Sequence, residues 1–299
     1  MSIVSKVKNV LRAVYDARYR YMFWQTRIED MSRRQRLARA AADKAPRPAL
    51  VQAGADPSAL IEDGYFALHD FMPPNAAAEM RQYFEQFDSF SPYLPELGRF
   101  RAPHDAPPAI HVSNFDQHVA LNSPYALQLA NDPLVLQTIG AFLGCKPLIS
   151  LIHAWWSMPT GQGPQHAENY HRDYDDLKFA KLFIYLTDVD EQSGPHMFVK
   201  GSPRSPKLQQ RRRYDDDEVL SAFPDVCDHL SFTGAAGTAF IEDTSGLHKG
   251  VPPVSAPRLI FQVLYTLKPY FGGPAKPIRQ AAEAERHLDP YTNSVYLTF

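Results

Sequence analysis

Cysteine is nearly missing from this sequence. The 299 residues hold two, Cys145 and Cys227, far apart and without the close spacing of a metal-binding pair. That excludes a disulfide framework or a thiolate zinc site and predicts two buried free thiols in a reducing compartment. Long apolar runs are missing too: none approaches the ~18–20 residues that a membrane-spanning helix needs. From Lys6 and Lys8 the charges continue through Arg12, Asp16, Arg18 and Arg20, which leaves no apolar stretch for a signal peptide, so the cytoplasm is the expected address. There is no Gly-rich phosphate loop, no G-x-S-x-G elbow and no dinucleotide fingerprint, so hydrolase and dehydrogenase readings find no support. A surplus of charge of either sign is also absent. The net charge of −2 argues against general nucleic-acid binding.

What is present is material for a core. Hydrophobic residues make up 44% and charged ones 21%, so a sizeable buried interior is expected and global disorder is not. The charge is unevenly spread. Residues 1–45 hold 11 Lys/Arg against 4 Asp/Glu, a net of +7, which leaves −9 for the rest of the chain. In this basic arm Ile3, Val7, Val10, Val14, Ala17, Tyr21, Trp24, Ile28 and Met31 alternate in steps of four and three. That spacing predicts one amphipathic helix over 3–31. Three roles fit it: packing on its own domain, homodimerisation, or peripheral contact with the inner face of a membrane.

Residues 46–58, with Pro46, Pro48 and Pro57, read as a linker to a domain spanning 59–299. Its opening, ALIEDGYFALHDFM, predicts a short helix and a strand. PPNAAAEMRQYFEQF predicts a helix started by proline. Residues 90–115 are Pro-rich and read as irregular, and 124–143 read as one helix. From about 148 the texture turns to strands: LISLIHAWWSM, AKLFIYLTDV, HMFVKGS, GTAFIED and RLIFQVLYTLKPY. Many short β runs with loops of varying length predict a barrel or jelly roll.

The chemistry gathers at His171-Arg172-Asp173. In an extended segment side chains alternate, so His171 and Asp173 can reach one ion. A third ligand must come from elsewhere, and His248 follows the strand GTAFIED. Two imidazoles and one carboxylate suit iron(II) and leave its other side open, unlike a closed structural zinc site. Arg258, ten residues on, could grip the far carboxylate of a cosubstrate. The second ring nitrogens of the histidines call for a carboxylate, carbonyl or water partner, with Asp243, Asp175 and Asp176 at hand.

The stretches HRDYDDLKFAKLFIYLTDVDEQSGPHMFVKGSPRS and AGTAFIEDTSGLHKGVPPVSAPRLIFQVLYT resemble the phytanoyl-CoA dioxygenase family of iron(II)/2-oxoglutarate oxygenases, as does ALIEDGYFALHDFM. The resemblance runs over roughly 59–270 and leaves 1–45 outside. It implies an α+β chain with a mainly β core, a double-stranded β-helix (jelly roll, cupin-like), flanking helices and the extra N-terminal helix. It implies iron(II) held by His171, Asp173 and His248, 2-oxoglutarate held by Arg258, and oxygen as co-reactant. It further implies a pocket wall from Lys181, Phe183 and Tyr185, with Lys181 and Phe183 beside the cosubstrate. A full carboxylate at Asp173 argues for hydroxylation over halogenation, since related halogenases carry a small residue there. Several relatives have a hydroxyl residue two positions after the distal histidine, where this chain has Gly250.

Other residues divide by role. Of Trp155 and Trp156, adjacent on a strand, one should face inward and the other outward, each serving core packing or an aromatic pocket wall. His153 reads as a core histidine, His166 as unrelated to the metal and His196 as structural. Residues 202–218, with Arg211–Arg213 and Asp215–Asp217, read either as a self-paired loop or as a lid whose arginines, Arg211 among them, meet an anionic substrate. The expected activity is hydroxylation of an unactivated C–H of a small-molecule or carrier-borne metabolite, with succinate and carbon dioxide as coproducts. The competing reading is a non-catalytic β-helix that binds a ligand or acts as a scaffold through its N-terminal helix.

Overall fold

A computed structural model describes residues 14–48 and 56–299. Its centre is an eight-stranded antiparallel sheet in the order β1-β9-β6-β11-β5-β4-β2-β3. These strands are β1 (Tyr65–Leu68), β2 (Ser89–Phe90), β3 (Arg99–Phe100), β4 (Val112–Asn114), β5 (Leu148–Ser157), β6 (Phe179–Tyr185), β9 (Ala239–Glu242) and β11 (Arg258–Thr266). A second, three-stranded antiparallel sheet runs β10-β7-β8, with β7 (His196–Val199), β8 (His229–Phe232) and β10 (His248–Gly250). This is the expected β core of a jelly roll.

The long strands sort their side chains by alternation. On one face Ile152, Ala154 and Trp156 of β5, Leu182 and Ile184 of β6, and Leu259, Phe261 and Val263 of β11 join the main core. The helices α5 (Gln117–Leu121), α7 (Pro133–Leu143) and α9 (Pro290–Asn293) pack on β5 and β6. On the opposite face Phe183, Tyr185, Phe240 and Ile260 form a smaller cluster beneath Trp155 and Phe232. With both faces covered, every residue of β6 and β11 is buried, which is why these strands read as mostly apolar runs.

Several expectations change in the helices. The single helix over 3–31 is interrupted: α1 is Ala17–Gln25 and α2 is Met31–Ala42. The first ends with Thr26 as its C-cap, and Asp30 starts the second. The Asp30 backbone is extended, and its side chain accepts from the Arg33 amide as an N-cap. Residues 3–13, which carry the first part of the heptad pattern expected to serve dimerisation or membrane contact, lie outside the described residues. So do 49–55 of the expected linker. The helix expected over 124–143 is two, α6 (Ala126–Ala130) and α7, separated where Asp132 caps and Pro133 starts the second. The stretch 90–115 contains three short strands rather than none. The short helix α3 (Ser58–Glu62) and α4 (Pro74–Phe84) fall where expected. Of the two thiols Cys145 is buried, but Cys227 is exposed. No helix among the described residues is long and apolar enough to cross a membrane.

The N-terminal helices pack on the β domain beside the metal motif. Tyr21 donates to Asp176 (2.5 Å), and the Gln25 amide donates to the carbonyl of Tyr174 (2.5 Å). Arg34, 1% exposed, donates to the Gln25 and Ile28 carbonyls, to the Gln25 side chain and to the Asp176 carbonyl. Asp176, itself buried, also accepts from the amides of Leu177, Leu267 and Lys268. The segment following Asp173 is thereby tied to the end of β11 and to both N-terminal helices.

Candidate active site

Backbone pairing brings the two histidines together. His171 and His248 face each other in an isolated antiparallel bridge, with both N–H···O distances 3.0 Å. The amide of Asp173 donates to the Thr244 carbonyl at 2.8 Å, which fixes the carboxylate in the same turn. One ligand atom from each of the three residues lies within 4.8 Å of the other two. Nε2 of His171 is 3.5 Å from one Asp173 oxygen, and Nε2 of His248 is 3.3 Å from the other. The expected carboxylate partners are not used by the far nitrogens. Nδ1 of His171 donates to the Asn169 carbonyl and Nδ1 of His248 to the Gly246 carbonyl, each at 3.0 Å. These bonds fix the tautomer that leaves both Nε2 atoms free for an ion. His248 begins β10 rather than merely following β9, which is what allows the bridge.

The electrostatics suit a cation. Burial, and then His248, push the His171 imidazole well below its ordinary value, so it is neutral as a ligand must be. At Asp173 burial pushes upward, but Lys181 and His248 outweigh it and hold the carboxyl well below the usual range. Burial likewise pulls His248 down, while the Asp173 carboxylate outweighs it and raises the imidazole. Lys181 sits between two carboxylates, 2.6 Å from Asp173 and 2.8 Å from Asp175.

Across the same cavity, of about 380 Å³, stands Arg258, 3% exposed. Its Nη2 donates to the Ser157 hydroxyl at 3.2 Å, but its buried Nε and Nη1 have no partner. A buried guanidinium with two idle nitrogens is costly unless something accepts from it, and a carboxylate suits its charge and donors. The missing hydroxyl at Gly250 also has a reason: a Cβ there would lie 3.0 Å from Nη2 of Arg258. Ser157, paired with Arg258 across β5 and β11, supplies a hydroxyl from the other side. The residues present therefore fit both groups, a divalent cation at one end and a carboxylate at the other.

The remaining expected residues separate. Phe183 and Lys181 line the cavity. Tyr185 lies behind it, donating to the Phe232 carbonyl and accepting from the His196 amide. Trp155 lines the cavity, while Trp156 points into the core, 2% exposed. Arg211 lines a neighbouring chamber, and it is Arg213 that reaches this one. His153, expected in the core, stacks on Trp155 at the cavity wall. Burial, with Lys181 adding to it, pushes it down to about 4. His166 stacks on Tyr93, 3.7 Å between ring centres, and lies outside the metal set. His196 contacts Glu242 at 2.9 Å. Burial drives Glu242 up to about 8 and His196 well below its usual value, so the pair is a neutral hydrogen bond between the cavity wall and the buried residue behind it. Ser157, Glu242 and Tyr93 carried no motif of their own and emerge only from strand register and loop placement, whereas Arg213 belongs to the expected lid arginines.

No match is found among curated protein sequences. Solved structures with the same fold include EctD from S. alaskensis with 2-oxoglutarate and 5-hydroxyectoine, at 18% identity, TM-score 0.52 and coverage of 74% of this chain and 82% of that one. The non-heme alpha ketoglutarate dependent carbocyclase SnoK from nogalamycin biosynthesis follows at 18%, TM-score 0.51, 74% and 86%. EvdO2 from Micromonospora carbonacea var. aurantiaca, complexed with 2-oxoglutarate, has 16% identity, TM-score 0.51, 72% and 91%. Residues 60–256 match the family model of phytanoyl-CoA dioxygenase (PhyH). The chain belongs to the phytanoyl-CoA dioxygenase family of iron(II)/2-oxoglutarate-dependent oxygenases.

Proposed function

We propose that the protein is an iron(II)- and 2-oxoglutarate-dependent hydroxylase of a small-molecule or carrier-borne metabolite. One observation carries this reading: a His–Asp–His set and a buried arginine with two unpartnered nitrogens face a single cavity. Nε2 of His171, Nε2 of His248 and a carboxylate oxygen of Asp173 hold the metal and leave its other side open. Arg258 and Ser157 take the far carboxylate of 2-oxoglutarate through the guanidinium and the hydroxyl. Phe183 and the stem of Lys181 wall the cosubstrate's place, while the Lys181 ammonium orients Asp173. Trp155 and Phe183 exclude water from the reacting face. Iron(II) would supply the oxygen chemistry: 2-oxoglutarate is oxidised to succinate and carbon dioxide, one oxygen atom entering succinate and the other a substrate C–H, which becomes an alcohol. EctD and EvdO2 are described with 2-oxoglutarate, and EctD also with bound Fe, in keeping with this donor set.

With iron(II) and oxygen the chain should form succinate from 2-oxoglutarate, and His171→Ala and Asp173→Ala should abolish it. Equal turnover in those variants, or no metal binding by the parent, would sink the reading. Specific ligand retention without succinate would favour a non-catalytic binder.

A further inference from the structure

A second cavity, of about 410 Å³, adjoins the first. Asp173, Asp175, Arg213 and Tyr270 line both, so a passage between the two runs past these residues. The other walls of this outer chamber include Met22 of α1, Thr26 at its C-cap and the loop Arg211–Arg213. Helix α1 lies outside the family match, yet it is fixed here through Tyr21 and Gln25.

The charges of the chamber can be followed one by one. Arg172 spends its donors on the carbonyls of Leu208, Lys207 and Ser245. Arg212 pairs with Glu218. Asp215 caps the helix α8 (Asp216–Ala222), and Asp216 pairs with Lys249. Asp215, Asp216 and Glu218 are therefore engaged away from Arg211 and Arg213. Arg211 lies over the Tyr174 ring, 5.8 Å from its centre, and neither arginine has an ion-pair partner among the described residues. Of the chamber's carboxylates, Asp175 is held by Lys181, and Asp173 belongs to the metal set.

Size points the same way. Ligand pockets run to roughly 300–1,000 Å³. The inner cavity sits near the low end and has to admit an ion, a cosubstrate and the reacting carbon. The rest of any larger substrate must lie outside it, and the passage leads only past Arg213 among the basic residues common to both spaces. Guanidinium forks match the planar oxygens of phosphate and carboxylate.

We propose that the outer chamber binds an anionic end of the substrate, a phosphate or a carboxylate, on Arg211 and Arg213, with α1 as the chamber wall. The reacting C–H is thereby presented through the passage to the face beside Trp155. This rests on the oxygenase reading and adds its substrate class. Calorimetric titration tests it on the full chain, loaded with iron(II) and saturating 2-oxoglutarate without oxygen, so that Arg258 is occupied. The probes are phenyl phosphate and phenylacetate, which separate the two anion chemistries. One of them should bind saturably, and Arg211→Gln/Arg213→Gln should weaken it at least ~10-fold. If that double variant does not fold, Arg211→Lys/Arg213→Lys, which keeps the charge but loses the fork, should weaken it by a smaller factor. No saturable binding of either probe, or equal binding by a folded variant, overturns the proposal. The titration reads binding without turnover, so its failure is distinct from a failure to form succinate.

Discussion

The inner cavity and the outer chamber meet at four residues but are built in different ways. The inner one hangs on sheet. Arg258 and Ser157 face each other across β11 and β5, Lys181 and Phe183 stand on β6, and His248 opens β10. The outer one is walled by a short helix and loops, with Met22 of α1, Thr26 at its C-cap and Arg211–Arg213. Positions on paired strands are held to a fraction of an ångström, as metal and cosubstrate chemistry requires. Loop and helix-end positions can change without disturbing the ladder, which suits the choice of substrate. The contrast is thus one between fixed chemistry and variable recognition.

Three substitutions sharpen it, the largest effect first. If the inner cavity is dry, Glu242 is a buried neutral acid whose folded pKa stands near 8 against an ordinary 4.5. The unfolded chain then loses this proton between pH 4.5 and 8 while the folded chain keeps it, so the group's contribution to stability falls as pH rises through that window. Glu242→Gln removes this loss. In urea unfolding of the metal-free chain, the variant should gain on the parent by on the order of 3 kcal/mol from pH 4.5 to 7.5. Parallel pH profiles would mean a wet cavity. Arg34→Met tests whether the chamber wall is integral. It strips a donor from the Gln25, Ile28 and Asp176 carbonyls and should cost about 2–3 kcal/mol in the same assay. A cost below ~0.5 kcal/mol, the level of ordinary surface changes, would make the N-terminal helices an accessory. Ser157→Ala is the mildest. Loss of one hydrogen bond of ~0.5–1.5 kcal/mol should raise the KM for 2-oxoglutarate ~2–10-fold with little change in kcat. An unchanged KM would leave the gap at Gly250 unfilled.

The same contrast explains what could be read from the sequence. The inner site was legible because its residues sit in short motifs tied to strands: H-x-D, a distal histidine and an arginine ten residues on. The β core was legible from its apolar runs. Ser157 was not, because its place beside Arg258 follows from the register of β5 against β11, which no local pattern encodes. Register also decides that Trp155, not Trp156, faces the cavity; alternation alone says only that they differ. The outer chamber was less legible still. The heptad spacing over 3–31 masks the cap signal at Asp30, and the apolar run of 124–143 masks the helix start at Asp132-Pro133. That Arg213 rather than Arg211 reaches the inner cavity follows from loop placement, which no local pattern encodes.

The most direct test of the central claim is the 2-oxoglutarate dependence of succinate formation in the parent chain and in Arg258→Ala. If the idle nitrogens of Arg258 receive the cosubstrate's carboxylate, losing two charge-assisted hydrogen bonds should raise the concentration required by ~100-fold or more. The same dependence in both chains, or turnover by the parent without 2-oxoglutarate, would contradict the account.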